Sequence, residues 1–364
     1  MSRKRQLRSI SHQPVSVELA LNNDDLLMQI LLFFPAKSLI RLKSVCKKWL
    51  SLISSDHFCH NHTLRRPKLQ QSLIIQMLTG QLFYLNRENV MIPYSLSVLD
   101  YHQIVQACHG LLLLESMSRI NSYYVYNPTT RRLRKIILTR NDDFRYVNAI
   151  TLAFDPSKSP YYKVICFRST AARSNDAYQF EVYDSESHTW KLSLKGSTYT
   201  KIKCNIGLYW NDYIFWRTST GYYFCFNIAK NEVEIVCLSK RAIDITHDFL
   251  LESNGDLYSF FFLGLPSAIG LSWEVQGDDH SGWIQNNLRA FYNHPEIDIS
   301  DVRFLVRDGS MHSVLAYAAK RRKIYAYISL GKSFELVVDL TVQPVSKIDQ
   351  PIKAFQFGEV LALV

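Results

Sequence analysis

The sequence predicts an α+β protein in which the two kinds of secondary structure lie in separate domains, a small all-α unit followed by a large all-β domain. Apolar residues recur with helical spacing between Asp24 and Trp49, and with a period of two beyond residue 70. Aromatic residues, at 13% with 21 Tyr and 20 Phe, favour strands. A chain of 364 residues is long enough for two domains.

The first predicted helix follows residues 1–20, which are basic and polar, have little periodicity and are interpreted as a flexible tail. Asn23 is expected to cap the helix, and the carboxylates of Asp24 and Asp25 suit the positive end of its dipole. Pro35 is expected to end it. The apolar residues fall on one stripe, which consists of Leu26, Leu27, Ile30, Leu31 and Phe34.

A second predicted helix begins with Ser38 as its cap and completes a compact helical hairpin. About 40 residues bury too little apolar surface to be stable alone, so the apolar face needs a partner. That partner is either another protein or the β domain of the same chain, and periodicity does not choose between them. The apolar face comprises Leu39, Leu42, Val45, Cys46 and Trp49, while Arg41, Lys43, Lys47 and Lys48 point largely elsewhere.

The junction between the two domains is expected at Arg65-Arg66-Pro67-Lys68, a polar stretch with a helix breaker. Residues 63–69 are therefore assigned as a linker and residues 70–364 as the β domain. The longest charge-free run, Leu257 to Trp273, contains two glycines and Pro266, so it is interpreted as two strands and a turn. No membrane partner is expected.

A loose internal repeat runs through the β domain. Tyr126-Asn127, Tyr183-Asp184 and Phe226-Asn227 each place an aromatic before a turn-forming residue, and positions 127, 184 and 227 are 57 and 43 residues apart. A second series, Gly207, Gly255 and Gly309, has spacings of 48 and 54 residues. Periods of roughly 40–50 residues are typical of four-stranded propeller blades. The β domain is therefore predicted to be a β-propeller, with a tyrosine-rich β-sandwich as the alternative.

The helical region resembles the F-box. The resemblance runs from Asn23 to Leu31 and from Phe34 to Trp49, with Leu52-Ile53 and Phe58 after it, and its most specific elements are Pro35-x-Lys-Ser-Leu and Val45-Cys-Lys-x-Trp. Asn22-Asn23 departs from the family, which usually has Leu-Pro there. Residues 22–62 are thus assigned as an F-box, which implies binding to a Skp-family adaptor through Leu26, Leu27, Ile30, Leu31, Phe34, Pro35, Ser38, Leu39, Leu42, Val45, Cys46 and Trp49.

Four later blocks resemble, in order, the opening of the F-box-associated domain of plant F-box proteins, a kelch-like propeller. The resemblance implies a substrate receptor of a Skp-cullin-F-box (SCF) ubiquitin ligase, with a cullin scaffold beyond the adaptor and an unknown substrate protein on the β domain. The alternative is a propeller scaffold that acts outside a ligase. The blocks are Ala107–Leu114, Tyr124–Arg132, Phe154-Asp155-Pro156 with Tyr162–Ile165, and Glu181–Ser185 with Trp190.

No catalytic pattern is recognisable, since the sequence has no G-x-S-x-G, Walker or G-x-G-x-x-G motif. The chain is therefore expected not to be an enzyme and to need no cofactor. One cluster of potential zinc ligands lacks a second pair at the usual spacing, so a polar helix end is expected there rather than a metal site. This cluster consists of His57, Cys59, His60 and His62.

The seven cysteines form no C-x-x-C pair, and no apolar segment follows the basic N-terminus, so a reducing cytoplasmic or nuclear location is expected. The formal net charge of +10 is compatible with nucleic acid, an anionic membrane or an acidic protein. The basic runs Arg131–Lys135 and Lys320–Lys323 are expected at hairpin turns, so nucleic acid is not an expected partner. The basic F-box residues, with Lys37 among them, are expected to steer an acidic adaptor.

Overall fold

The computed structural model of the chain divides into two compact units, residues 1–67 and residues 68–364. The predicted tail of residues 1–20 lies outside the residues that the structure describes. These are residues 23–65, 72–85, 91–95, 102–139, 146–170, 177–197, 202, 207–219, 222–236, 245–253, 256–263, 268–269, 274–275, 283–284, 291–292, 302–307, 313–318, 321–328, 333–342, 351–357, 360–362 and 364.

The described part of the first unit contains four short helices, none of which is long and apolar enough to cross a bilayer. Asn23 caps the first helix as predicted, because its Oδ1 accepts hydrogen bonds from the backbone N–H groups of Asp25 (3.0 Å) and Leu26 (3.1 Å). Asp24 and Asp25 occupy the first turn. The helices are α1 (Asp24–Leu31), α2 (Ala36–Leu42), α3 (Lys47–Ser54) and α4 (Asp56–Leu64).

The predicted second helix is in fact two helices, α2 and α3. Ser38 lies inside α2 and does not cap it, because Pro35 occupies the N-cap position. Proline suits a helix start, since its fixed φ is helical and its missing N–H has no partner there. After α2, the Ser44 hydroxyl donates to the carbonyl of Arg41 (2.7 Å) and Cys46 is fully extended, so the chain turns before α3.

The polar helix end predicted at His57–His62 belongs to a separate fourth helix, α4, whose start the periodicity did not indicate. Ser55 begins it, because the Ser55 hydroxyl oxygen accepts a hydrogen bond from the backbone N–H of Phe58 (3.2 Å). The helix continues to Leu64 and thus contains the first two residues of the segment assigned as linker. The described helical unit is therefore a small bundle, which agrees with the predicted all-α unit and contains more helices than the two of a hairpin.

The second unit is built from antiparallel strands, as the period of two predicts. Leu257–Leu263 and Ala268-Ile269 belong to two separate strands, so this part of the charge-free run is not a single apolar segment. The strands are β1 (Ser72–Met77), β2 (Leu82–Leu85), β3 (Met91–Tyr94), β4 (His102–Cys108), β5 (Leu111–Ser116), β6 (Tyr123–Asn127), β7 (Arg132–Ile136), β8 (Tyr146–Ala153), β9 (Lys163–Ser169), β10 (Tyr178–Asp184), β11 (Thr189–Gly196), β12 (Leu208–Trp210), β13 (Tyr213–Arg217), β14 (Tyr223–Asn227), β15 (Glu232–Val236), β16 (Ile245–Ser253), β17 (Asp256–Leu263), β18 (Ala268–Ile269), β19 (Glu274–Val275), β20 (Trp283–Ile284), β21 (Phe291–Tyr292), β22 (Val302–Arg307), β23 (Ser313–Ala318), β24 (Lys323–Ile328), β25 (Ser333–Asp339) and β26 (Pro351–Phe357).

The described strands form six sheets, which are the blades of a propeller. Blade 1 contains β26, β1, β2 and β3; blades 2, 3, 4 and 6 contain β4–β7, β8–β11, β12–β15 and β22–β25; blade 5 contains β16–β21. The first strands of successive blades contact one another in the cyclic order β26, β4, β8, β12, β16, β22 and back to β26. This closed ring confirms the predicted propeller and excludes a sandwich.

The ring closes by pairing the last described strand with the first. Strand β26 runs antiparallel to β1, with Phe355 opposite Ile74 and Ala354 opposite Ile75. One blade is thus assembled from strands at opposite ends of the β domain, so the two ends of the domain are held together by backbone hydrogen bonds within that blade.

The aromatic repeat marks the same place in three blades. Tyr126-Asn127, Tyr183-Asp184 and Phe226-Asn227 each end the third strand of a blade, in β6, β10 and β14. The glycine series stays a prediction, because Gly255 and Gly309 lie outside the described residues.

Aromatic side chains fill the space between blades. Phe180 of blade 3 stacks on Phe226 of blade 4 with ring centroids 4.5 Å apart and planes nearly parallel, and Phe167 lies within 5.9 Å of Phe224. Trp216 is buried in the same cluster. Aromatic side chains therefore pack blade 3 against blade 4.

The two ends of the propeller are made by different connections. The end where first strands lead into second strands, and third into fourth, is called the turn end; the opposite end is called the loop end. At the turn end Asn211 and Asp212 both have positive φ, as a two-residue hairpin requires. The predicted hairpin-turn position of the basic runs is correct for Arg131, between β6 and β7, and for Arg321-Arg322, between β23 and β24. It is wrong for Arg132–Lys135, which form most of β7, and for Lys323, which begins β24.

Candidate protein-binding surface

Helix α1 and the turn after it expose a row of large apolar side chains, here called the α1 surface: Leu26, Ile30, Phe33 and Phe34. Leu26, Ile30 and Phe33 are spaced i, i+4 and i+7, which places them on one side of a helix. Ile30 is 49% exposed and Phe33 75% exposed. A contiguous exposed apolar row on a small unit is typical of a protein-binding site.

The structure separates the predicted adaptor-binding residues by burial. Leu27, Leu31 and Leu39 are at most 2% exposed, so they support the surface from the interior and do not form it. This part of the apolar stripe is therefore already buried and needs no further partner. Six of the predicted residues are exposed, namely Leu26, Ile30, Phe34, Pro35, Val45 and Cys46. Three are partly buried, namely Ser38, Leu42 and Trp49.

Three exposed large apolar residues in the described part of the same unit, Phe33, Leu50 and Leu64, are not among the predicted ones. The signal for Phe33 is present in the sequence, since it lies seven residues after Leu26 on the same stripe. Leu50 lies on α3, whose start is set by the turn at Ser44–Cys46. Its face becomes evident only once that turn is known.

Buried His62 fixes the turn that carries Phe34. The His62 Nε2–H group donates a hydrogen bond to the backbone carbonyl of Phe34 (2.9 Å), and its ring stacks on Phe58. Because a carbonyl oxygen only accepts, Nε2 must carry the proton. Helix α4 thereby holds the α1–α2 turn in place.

A cation covers part of Phe33. The Arg65 guanidinium lies over the Phe33 ring, 5.1 Å from its centroid, and an Arg65 N–H donates to the side-chain oxygen of Gln29. The guanidinium therefore restricts the orientation of the ring while leaving most of its area accessible.

Several basic residues follow the α1 surface in the sequence, and most of them are exposed on the helical unit. Lys48 Nζ is 2.6 Å from Asp24 Oδ1, which joins the starts of α3 and α1. An exposed pair of this kind contributes little to stability. The other exposed Lys and Arg residues of the described helical unit are Lys37, Arg41, Lys47 and Arg65, with Lys43 partly buried.

The His/Cys cluster of α4 is dispersed around the helix. His57 Nε2 lies 3.0 Å from Asn61 Nδ2, and His62 bonds to Phe34. The Cys59 Sγ lies 3.7 Å from the carbonyl of Ile53, and burial raises the pKa of its thiol to about 11. Within the described part of the chain, no three His, Cys, Asp or Glu side chains are placed to share a metal ion.

The propeller contains a buried ion pair in blade 3. Arg168 Nε donates to Glu181 Oε2 at 3.1 Å, with the two side chains 5% and 7% exposed. Thr139 Oγ1 and Gln179 Nε2 also donate to the Glu181 carboxylate, at 2.7 and 2.5 Å, and Arg168 Nη2 donates to the carbonyl of Thr139 (2.8 Å). This network ties the connection after blade 2 to blade 3.

Comparison with known proteins identifies both units. Residues 23–61 match the F-box domain, and residues 71–256 match the F-box associated beta propeller domain. An Arabidopsis thaliana F-box protein is 31% identical over 301 residues, which are 73% of this chain and 70% of the relative. Two further F-box proteins of that plant are 29% and 28% identical and cover 55% and 72% of this chain, with 59% and 69% of their own lengths matched.

Proposed function

This chain belongs to the family of plant F-box proteins with a C-terminal F-box-associated β-propeller domain, and from this we propose that it is a non-catalytic substrate receptor of an SCF-type ubiquitin ligase. The F-box binds a Skp-family adaptor, the adaptor connects it to a cullin, and the propeller holds the target protein. Catalysis belongs to partner subunits. The five described cysteines are free, which suits a cytoplasmic or nuclear location.

The α1 surface is the observation that carries this proposal. It lies within the residues that match the F-box domain, and its four large apolar side chains are exposed while the interior of the unit is already filled by other residues. Burying such side chains contributes about 1.5–3 kcal/mol each. An adaptor that covers them therefore gains apolar contact without reorganising the helical unit.

The basic residues around this surface support an acidic adaptor. Lys37, Arg41 and Lys47 are exposed, and cations at the rim of an interface raise the association rate more than the final affinity. The departure Asn22-Asn23 leaves the start of α1 intact, since Asn23 caps it.

The test is reconstitution of the full chain with a purified Skp-family adaptor and a cullin. We expect a stable ternary complex, and adaptor association that slows as salt is raised. A correctly folded chain that binds no adaptor would contradict the proposal and leave the alternative, a propeller scaffold that acts outside a ligase.

A further inference from the structure

The two ends of the propeller differ in charge. The comparison covers those Lys, Arg, Asp and Glu residues whose side chains the structure describes, in the connections and in the two terminal residues of each strand at that end. The turn end is balanced: Arg131, Arg132, Lys158, Lys163 and Lys230 are accompanied by Asp155, Asp184, Glu186, Asp212 and Glu232. The loop end is strongly basic: Arg119, Lys135, Arg168, Lys195, Arg217, Arg321, Arg322 and Lys323 are accompanied by Glu115 and Asp339.

The basic residues of the loop end lie on several blades. Arg168 is paired with Glu181, and Lys323 with Asp339 at 3.6 Å. Exposed basic residues lie on blades 2, 3 and 6, namely Arg119, Lys135, Lys195 and Arg321. The positive charge is therefore distributed around this end.

Exposed apolar side chains are concentrated at the same end. Ile120 is 92% exposed, the largest value among the exposed large apolar residues of the described propeller. The loop end carries Leu78, Met117, Ile120, Ile137, Tyr146, Tyr222, Ile235 and Val342 in this class, whereas the turn end carries Ile92 and Leu133.

The connection that presents Met117 and Ile120 is closed by its own hydrogen bonds. The backbone N–H of Ser116 donates to the carbonyl of Ser122 (2.8 Å), and the hydroxyls of Ser116 and Ser118 are 3.1 Å apart. A connection that is already ordered loses less conformational entropy when a partner binds.

The described residues that follow β26 lie at the turn end, not at the loop end. Strand β1 begins at the turn end and β26 ends there. After β26, residues Val360–Ala362 pack at the turn end on Asn127.

We propose that the loop end is the target-binding face and that it takes an extended target segment combining acidic and apolar side chains. Acidic residues complement the basic excess, and apolar residues cover Met117 and Ile120. The aliphatic character of most exposed side chains favours a protein over nucleic acid, which is bound through stacking on aromatic rings. This inference deepens the proposed function and rests on it only in calling the bound segment a ligase target.

The experiment selects peptides from a random-sequence phage-display library on the full chain and then measures the affinity of the selected peptides. We expect selected peptides to carry net negative charge and apolar residues. The variant Arg119→Glu with Lys135→Glu should lower the affinity for these peptides roughly 5- to 30-fold, because two cations that attract an acidic peptide become anions that repel it. Met117→Ser with Ile120→Ser should also lower this affinity.

A matched control separates position from total charge. Arg132→Glu with Lys163→Glu changes the net charge equally but lies at the turn end, so binding should stay within about twofold of the parent. Equal losses in both charge variants, neutral or basic selected peptides, or a library that yields no binder would overturn the inference. So would a 20-nucleotide single-stranded DNA that outcompetes the peptides. Adaptor binding, measured on the same preparations, reports on the proposed function separately.

Discussion

The side-chain amide of Asn127 donates a hydrogen bond to the backbone carbonyl of Ala362 at 2.9 Å, and so joins blade 2 to the segment that follows the last strand. The same amide donates to the carbonyl of Val360 (3.1 Å), and its Oδ1 accepts from the N–H groups of Thr129 (2.9 Å) and Thr130 (3.2 Å). Asn127 is completely buried. The side-chain amide thus uses its donors on residues 360–362 and its acceptor in the turn that follows β6.

Asn127→Asp should therefore destabilise the propeller by about 2–5 kcal/mol, because it removes both donors and places a carboxylate against two carbonyls. The measurement is the free energy of unfolding from denaturant titration of the full chain. Asp184→Asn is the control, since Asp184 ends the equivalent strand of blade 3 and its Oδ1 accepts from Glu186 N–H (2.8 Å), as an amide oxygen also does. A similar loss in both variants would contradict the role assigned to the Asn127 amide.

The buried Arg168–Glu181 pair leads to a second prediction. Arg168→Met should cost about 3–5 kcal/mol, because the Glu181 carboxylate is left buried without its cation. Arg168→Met with Glu181→Leu should recover much of that loss, which a double-mutant cycle measures. Lys323→Met is the control, since its pair with Asp339 is more exposed and should cost less than about 1 kcal/mol. A double variant no more stable than the single one would argue against this account.

In the helical unit, adaptor binding and stability are expected to depend on different residues. Leu26→Ser with Ile30→Ser removes exposed groups and should weaken adaptor binding about 30-fold or more without loss of the helices. Leu31→Ala with Leu39→Ala empties the interior, at about 2–5 kcal/mol per site, and should unfold the unit. Adaptor titration together with hydrogen exchange over residues 24–64 tests both. Unchanged adaptor affinity in the first variant, with protected helices, would remove the α1 surface from the proposed interface.

Cysteine alkylation provides a footprint of the same surface. Cys46 is exposed, whereas Cys59 and Cys166 are buried and burial raises the pKa of their thiols to about 11 and 12. At pH 8 iodoacetamide should label Cys46 much faster than the other two, and adaptor binding should slow that labelling. Peptide mass spectrometry resolves the sites, with labelling in denaturant as the reference. Adaptor-saturated protein in which Cys46 reacts at its free rate would place Cys46 outside the interface.

Alkaline pH should destabilise the propeller through its buried phenols. Burial raises the pKa of Tyr162 above its ordinary value of 10, so its contribution to stability is complete below pH 10 and declines as pH rises further. Between pH 9 and pH 11 the free energy of unfolding of Tyr162→Phe should fall by about 1.4 kcal/mol less than that of the parent. At pH 7 it should be as stable as the parent or more stable, because the described residues provide no partner for this hydroxyl.

Denaturant titration at pH 7, 9 and 11 measures the difference, and Tyr146→Phe is the control because Tyr146 is exposed. A pH dependence of Tyr162→Phe identical to that of the parent would show that the phenol of Tyr162 does not titrate differently on folding.

Features set by near neighbours were predictable from the sequence. The cap at Asn23, the apolar stripe of α1 and the turns that follow Asn127, Asp184 and Asn227 each depend on residues a few positions away. Spacing therefore predicted these elements, and the resemblance to the F-box indicated the region where the α1 surface lies.

The sequence alone determined a small helical unit, a large domain of antiparallel strands and the repeat of its blades. Tertiary structure alone decided that there are six described blades, that β26 closes the ring on β1, and that Leu31 is buried while Phe33 is exposed. It also brought Asn127 to Ala362, 235 residues later. Periodicity distinguishes the two faces of an element without indicating what each face packs against, because remote pairings depend on how the whole ring closes.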